Sequence, residues 1–127
     1  MSGAIVDTSA WIEYFAGHDI KLLDDALRQG SVILPPVVVA ELVSGAHRAR
    51  ERQDMIEFLA ELPMHETPRE HWIRVGELRL RCRERGLSVS TPDAHVAQCA
   101  LDLDALLFTR DDVFSKIARH TGLRLAS

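Results

Sequence analysis

Four acidic residues carry the chemistry this sequence can do: Asp7, Glu41, Asp93 and Asp111, separated by 34, 52 and 18 positions. Each falls at or beside an expected strand end or helix start. Carboxylates drawn together repel one another, and a hard divalent cation relieves that repulsion. Mg²⁺ and Mn²⁺ prefer oxygen ligands, and such an ion can activate water and polarise a phosphoryl oxygen. The chemistry implied is hydrolysis of a phosphoester. Nucleophile-based alternatives lack their signatures, because the chain has no G-x-S-x-G and no telling Cys–His pattern. Its two cysteines, Cys82 and Cys99, form no C-x-x-C, and no histidine stands at a recognisable zinc-ligand spacing from either. Both cysteines are read as small core hydrophobes, and no zinc site is expected.

For acids so remote in sequence to meet, the fold must gather them. The apolar run Ala4-Ile5-Val6 ends on Asp7 and reads as a buried strand, followed by a helix over 8–15 capped by Thr8 or Ser9. A second helix is expected over 20–29, a second strand over 32–34, and a third helix opening at Pro36 and carrying Glu41. A helix over 50–61 precedes a short strand at 64–66. Thr67-Pro68-Arg69-Glu70 reads as a capping box for a long helix to Arg85. Thr91-Pro92-Asp93 repeats the cap-then-proline start for a helix to Ala100, followed by a strand over 105–109, a helix over 113–120 and a last strand over 123–125. Short apolar strands alternating with helices predict an α/β fold, a short parallel β-sheet sandwiched by α-helices. In such sheets ligands bind beyond the carboxyl ends of the strands, where these acids fall.

The chain has 127 residues, one domain's worth, read as a single unit over 1–127. Hydrophobic residues make up 46% and charged residues 27%, which excludes a mainly disordered chain. The longest apolar stretch, 32–40, is too short to span a bilayer, where about 20 apolar residues are needed, and the first residues lack a basic run, so a cytoplasmic location is expected. Net charge is −4, which excludes a constitutively basic nucleic-acid binder yet suits a nuclease built on local carboxylates.

Four blocks in order resemble the PIN-domain nucleases, specifically the VapC-like ribonuclease toxins of type II toxin–antitoxin pairs: I-V-D-T-S-A-W-I from Ile5, L-P-P-V-V-V-A-E-L from Leu34, T-P-D-A-H-V-A from Thr91 and L-F-T-R-D-D-V-F from Leu107. The resemblance covers essentially the whole chain. It implies a PIN-like single domain and a Mg²⁺- or Mn²⁺-dependent endoribonuclease that cleaves RNA by metal-activated water. It implies Asp7, Glu41, Asp93 and Asp111 as the catalytic and metal-holding acids. Thr8, Ser9, Thr109, Arg110 and Asp112 are implied as supporting or substrate-contacting residues. The implied partners are RNA, a VapB-like antitoxin whose tail enters the site, and a second copy in a homodimer. One departure stands out. The family's last block often reads T-R-D-x-D-F, and here Val113 takes the place of its second acid, with Asp112 one position early.

Other residues read more plainly. His95 lies about 200° round a helix from Asp93, so the two cannot share an ion. Trp11, Ile12 and Phe15 read as core or dimer contacts, and Trp72 as packing. The arginines of the long helix read mainly as a solvated face. Val113 supports one rival, a catalytically silent PIN-like module that binds RNA or protein. A phospho-receiver is disfavoured because the only lysines, Lys21 and Lys116, are badly placed, and an aspartyl-phosphatase because Asp7-Thr8-Ser9 lacks a D-x-D pair.

Overall fold

The computed structural model describes residues 3–126. Its elements run β1 (Ala4–Val6), α1 (Thr8–Phe15), α2 (Lys21–Arg28), β2 (Val32–Ile33), α3 (Pro36–Gly45), α4 (Ala49–Ala60), α5 (Arg69–Glu84), α6 (Thr91–Asp102), β3 (Leu106–Phe108), α7 (Val113–Ala118) and β4 (Arg124–Leu125). The four strands pair in the order β2-β1-β3-β4, all parallel. All three β1 residues are buried, as a strand covered on both faces requires. The chain passes from β1 to β2 on one side and later returns to β3 on the other. The β1/β3 boundary is therefore the point where strand order reverses, and the carboxyl ends there open into a crevice. Val6 pairs with Phe108 in register, so Asp7 and Thr109 leave the sheet side by side.

The expected α/β architecture is present, with local differences at the caps. Asp7 itself caps α1, its carboxylate accepting from the Ser9 backbone N–H, where Thr8 or Ser9 was expected. A carboxylate can cap as well as a hydroxyl, and it also suits the positive end of the helix. The capping box at 67–70 does not form: α5 begins at Arg69 after Pro68, with no side-chain cap. Pro68 offers no side-chain acceptor, and its extended backbone starts the helix one residue later than a Thr67 cap would. Ser90, one residue earlier than expected, caps α6 by accepting from the Asp93 N–H. The short strand expected at 64–66 reduces to a single bridge, Leu34 to Met64, which lengthens the β2 edge by one residue.

Two elements set the position of the rest. On α5, His71, Val75, Leu78 and Cys82 recur at helical spacing and are buried, while α6 is buried without interruption from Ala94 to Ala100. The two helices pack along each other, and α6 also lies against β1 and β3. Trp11 is wholly buried and meets Phe58 edge-on at 5.4 Å and Phe15 stacked at 5.5 Å. The α1 expectation is thereby divided: Trp11 is core, whereas Ile12 and Phe15 are 60% and 41% exposed.

Candidate active site

Asp7 sits at the crevice, only 7% exposed. One of its oxygens, Oδ2, accepts from the Ser9 hydroxyl at 2.7 Å and from the Thr109 hydroxyl at 3.1 Å. Each hydroxyl has one proton, so their own 3.3 Å approach is a contact forced by the shared acceptor. Both hydroxyls also accept: Ser9 from the Arg110 N–H at 2.9 Å, Thr109 from the Asp111 N–H at 3.0 Å. The loop after β3 is thus laced to the start of α1 through two small hydroxyl residues. The arrangement occupies Oδ2 and leaves Oδ1 of Asp7 without a partner among these bonds.

The other acids approach from three further elements. Glu41, on α3, is exposed and accepts from the Thr8 hydroxyl at 2.6 Å. Asp93 stands in the first turn of α6. Asp111 follows β3 and accepts from the Val113 N–H at 3.0 Å, a local turn that fixes its carboxylate. Burial pushes the Asp93 carboxyl above its ordinary 3.8, the Ser90 hydroxyl pulls the other way, and the charges of Asp111, Asp7 and Glu41 push it up again. The four predicted acids therefore share one electrostatic neighbourhood. Asp112 is exposed at the start of α7 and is not among the charges acting on Asp93. Arg110 pairs its guanidinium with Glu13 at 2.6 Å.

The donor set suits a hard divalent cation. It is all oxygen, and among the described residues the charges acting on Asp93 are all negative. Among the described residues, no three of these acids offer oxygens all within 4.8 Å of one another. An ion bound here would retain some water, as Mg²⁺ commonly does.

Beside Glu41 runs an apolar groove lined by Ile12, Phe15, Leu42, Ala46, Met55 and Phe58, with Glu51 and Asp54 also on its wall. Sequence reasoning gave Ile12 and Phe15 no such role, because α4, which forms the opposite wall, is remote in the chain. A second difference concerns the histidines. Packing of α5 on α6 brings His65, His71 and Cys99 donor atoms within 4.8 Å, a soft-ligand group where none was expected. The only local signal was His95 and Cys99, four apart on α6. Burial pushes the His95 imidazole down to about 4 and the Cys99 thiol up to about 12. His95 faces this group rather than the acids, as its angle from Asp93 requires.

The sequence matches the PIN domain family over residues 4–120. No curated protein sequence is similar enough to match. Among solved structures, the chain is similar to VapBC2 from Rickettsia felis bound to a DNA fragment from its promoter, at 21% identity and TM-score 0.78, covering 97% of this chain and 96% of that one. It is similar to DNA-bound VapBC from Salmonella typhimurium at 17% identity and TM-score 0.77, covering 99% and 98%. VapBC-5 from Mycobacterium tuberculosis, a member of the VapBC family of toxin–antitoxin systems, matches at 23% identity and TM-score 0.72, covering 98% of each chain. Likeness at these identities speaks for the fold.

Proposed function

The chain belongs to the PIN domain family, and from that membership we propose that it is a metal-dependent endoribonuclease, the toxin of a VapBC-type pair. The observation that carries this reading is the joint action of Asp111, Asp7 and Glu41 on a partly buried Asp93. Such a cluster is costly to keep unless it serves a cation and a phosphate.

In this reading Asp7 and Asp93 hold Mg²⁺ or Mn²⁺, while Glu41 and Asp111 complete the pocket. When bound, the cation supplies charge neutralisation and Lewis acidity at the scissile phosphate. The residues of the chain do the rest. Ser9 and Thr109 hold Asp7 by one oxygen and so aim the other. Thr8 orients Glu41, an exposed acid of the pocket and the group suited to take a proton from the attacking water. Arg110 stands at the rim, where an RNA phosphate would compete with Glu13 for its guanidinium. Asp111, rather than Asp112, is the fourth acid of this pocket.

The neighbours solved as VapBC assemblies support an antitoxin of VapB type as partner. The groove beside Glu41 suits the apolar face of an amphipathic antitoxin segment, whose continuation would reach the acids. We further assign it a homodimeric state and a cytoplasmic setting, where its RNA substrate is found. No helix among the described residues is long and apolar enough to cross a membrane. Val113, at the place of a second acid, favours one rival, a silent module that binds RNA or protein without cutting it.

The test is cleavage of a mixed RNA pool by the purified chain with Mg²⁺ or Mn²⁺ against EDTA, with Asp93→Asn purified identically. Discrete cuts that need the cation and vanish in the variant support the nuclease. RNA retained but uncut by the folded protein transfers the reading to the silent module.

A further inference from the structure

We propose that His65, His71 and Cys99 form a binding site for one Zn²⁺-class cation, chemically distinct from the acidic pocket and filled independently of it. Three elements remote in sequence supply the ligands: the segment after α4, the first turn of α5, and the middle of α6. Their donor atoms all lie within 4.8 Å of one another. Tetrahedral zinc, with Zn–N of about 2.0–2.1 Å and Zn–S of about 2.3 Å, sets its ligand atoms roughly 3.3–3.6 Å apart. A contraction of up to about 1.5 Å closes the site, and His65, in a half-buried irregular segment, is placed to make it.

The surroundings of these atoms are those of a metal site. His71 is fully buried, and its Nδ1 lies 2.9 Å from an Asp102 oxygen. A carboxylate only accepts, so Nδ1 carries the proton and Nε2 keeps its lone pair for the interior. Asp102 is held in turn by Arg74 at 2.9 and 3.0 Å and by Gln98 at 2.8 Å. A carboxylate behind a ligating histidine fixes the ring's tautomer and direction, the usual outer support of zinc ligands. His65 Nε2 is buried and has no hydrogen-bond partner among the described residues. An orphaned buried nitrogen destabilises the fold, and a cation is the partner it lacks. Two imidazoles and a thiol select a borderline-soft ion over Mg²⁺ or Mn²⁺.

In the ion-free chain, His95 occupies the interior lone pair: its Nδ1 lies 2.7 Å from His71 Nε2. That separation is too short for two ligands of one zinc ion. Binding therefore breaks this hydrogen bond and moves the His95 ring off the His71 lone pair, shifting the stack it now makes on Trp72, with ring centroids 4.6 Å apart and 5° from parallel. The Cys99 thiol proton leaves to solvent as the thiolate binds. The fourth position falls to water, and the cleft lined by His65, Glu66, Thr67, Pro68, Arg74 and Asp102 opens on the His65 side of the site.

The full-length chain, stripped with chelator, is titrated with Co²⁺ and followed by near-ultraviolet absorbance, where a thiolate ligand produces a charge-transfer band. One equivalent should develop the band, and Zn²⁺ should abolish it by displacement. Asp93→Asn, which cripples only the acidic pocket, should titrate like the parent, so the result does not depend on the nuclease reading. Loss of outer support costs metal sites about 10–100-fold, so loss of a ligand in Cys99→Ser or His65→Ala should weaken binding by more than that. His65→Ala removes a half-buried side chain that makes no hydrogen bond among the described residues, and circular dichroism checks that both variants fold. No band in the folded parent overturns the proposal. So does a band that survives Cys99→Ser, which would come from Cys82, or one that disappears in Asp93→Asn.

Discussion

Replacing Ser9 with alanine tests whether the two hydroxyls aim the Asp7 carboxylate. The Ser9 hydroxyl donates to Oδ2 at 2.7 Å, the Thr109 hydroxyl at 3.1 Å, and the Ser9 N–H reaches only 3.4 Å. Ser9 therefore makes the shortest bond to a carboxylate that is 7% exposed. A hydrogen bond to a charged group is worth about 1.5–3 kcal/mol, and shorter charge-assisted bonds lie toward the upper end. At about 1.4 kcal/mol per decade, that converts to a roughly 10–100-fold loss in cation affinity if the bond serves chiefly to hold Asp7 in its ligating pose. The Arg110 N–H also loses its acceptor, but Arg110 is exposed and water replaces it. Melting should fall by only a few degrees. The assay is RNA cleavage against Mg²⁺ concentration, beside Thr109→Val. Ser9→Ala should raise the half-saturating Mg²⁺ by that factor while high Mg²⁺ restores much of the rate. An unchanged half-saturation in a folded variant would refute the assignment of Ser9 as the residue that positions Asp7.

Further outcomes follow from the same geometry. Asp93→Asn should abolish cleavage and yet raise the melting temperature at neutral pH. The sign follows from the raised folded-state pKa: the parent gains stability as pH falls through it, whereas the variant is neutral throughout, so the two melting curves should converge below the ordinary 3.8. Burial pushes the Asp102 carboxyl up, but bonds from Arg74, Gln98 and His71 outweigh it and hold it at about 2. Its stabilisation is complete above its ordinary 3.8 and is lost as pH falls toward 2, so Asp102→Asn should melt lower at pH 7, by an amount equivalent to about 1–2 kcal/mol, and the gap should close in strong acid. Ile12→Asp, on a side chain 60% exposed in the groove, should weaken capture of a VapB-type antitoxin while RNA cleavage by the free chain stays at parent level. Millimolar Mg²⁺ should raise the melting temperature of the parent, and that rise should be lost in Asp93→Asn.

How much of this was legible in the sequence depended on range. The strands were readable because β1 is a covered parallel strand, and three consecutive buried apolar residues ending on an acid leave little ambiguity. Asp7 and Thr109 could be expected at strand ends from those runs alone. The cap assignments slipped by one or two residues because serine, threonine and aspartate all serve as caps, and neighbouring candidates compete for the same N–H groups. Asp7 outcompeted Thr8 and Ser9, which left both hydroxyls free to reach Glu41 and Asp7. The missing acid at Val113 was visible in the sequence. That Asp112 does not act on Asp93 in its place required the turn in which the Val113 N–H bonds to Asp111.

By itself the sequence determined the parallel sheet and the element order apart from the strand expected at 64–66, and it put four acids at strand ends and helix starts, because periodicity and turn chemistry act between neighbours a few residues apart. Only the tertiary structure decided which long-range partners meet. It joined α1 to the segment after β3 through Ser9 and Thr109, a hundred residues apart. It set α4 against α1 to make the groove, and it set α5 against α6 so that His71 meets Asp102, His95 and Cys99. No local rule encodes those meetings. They are consequences of how buried faces close on one another to exclude water, and the polar groups carried on those faces must then find partners where the packing leaves them.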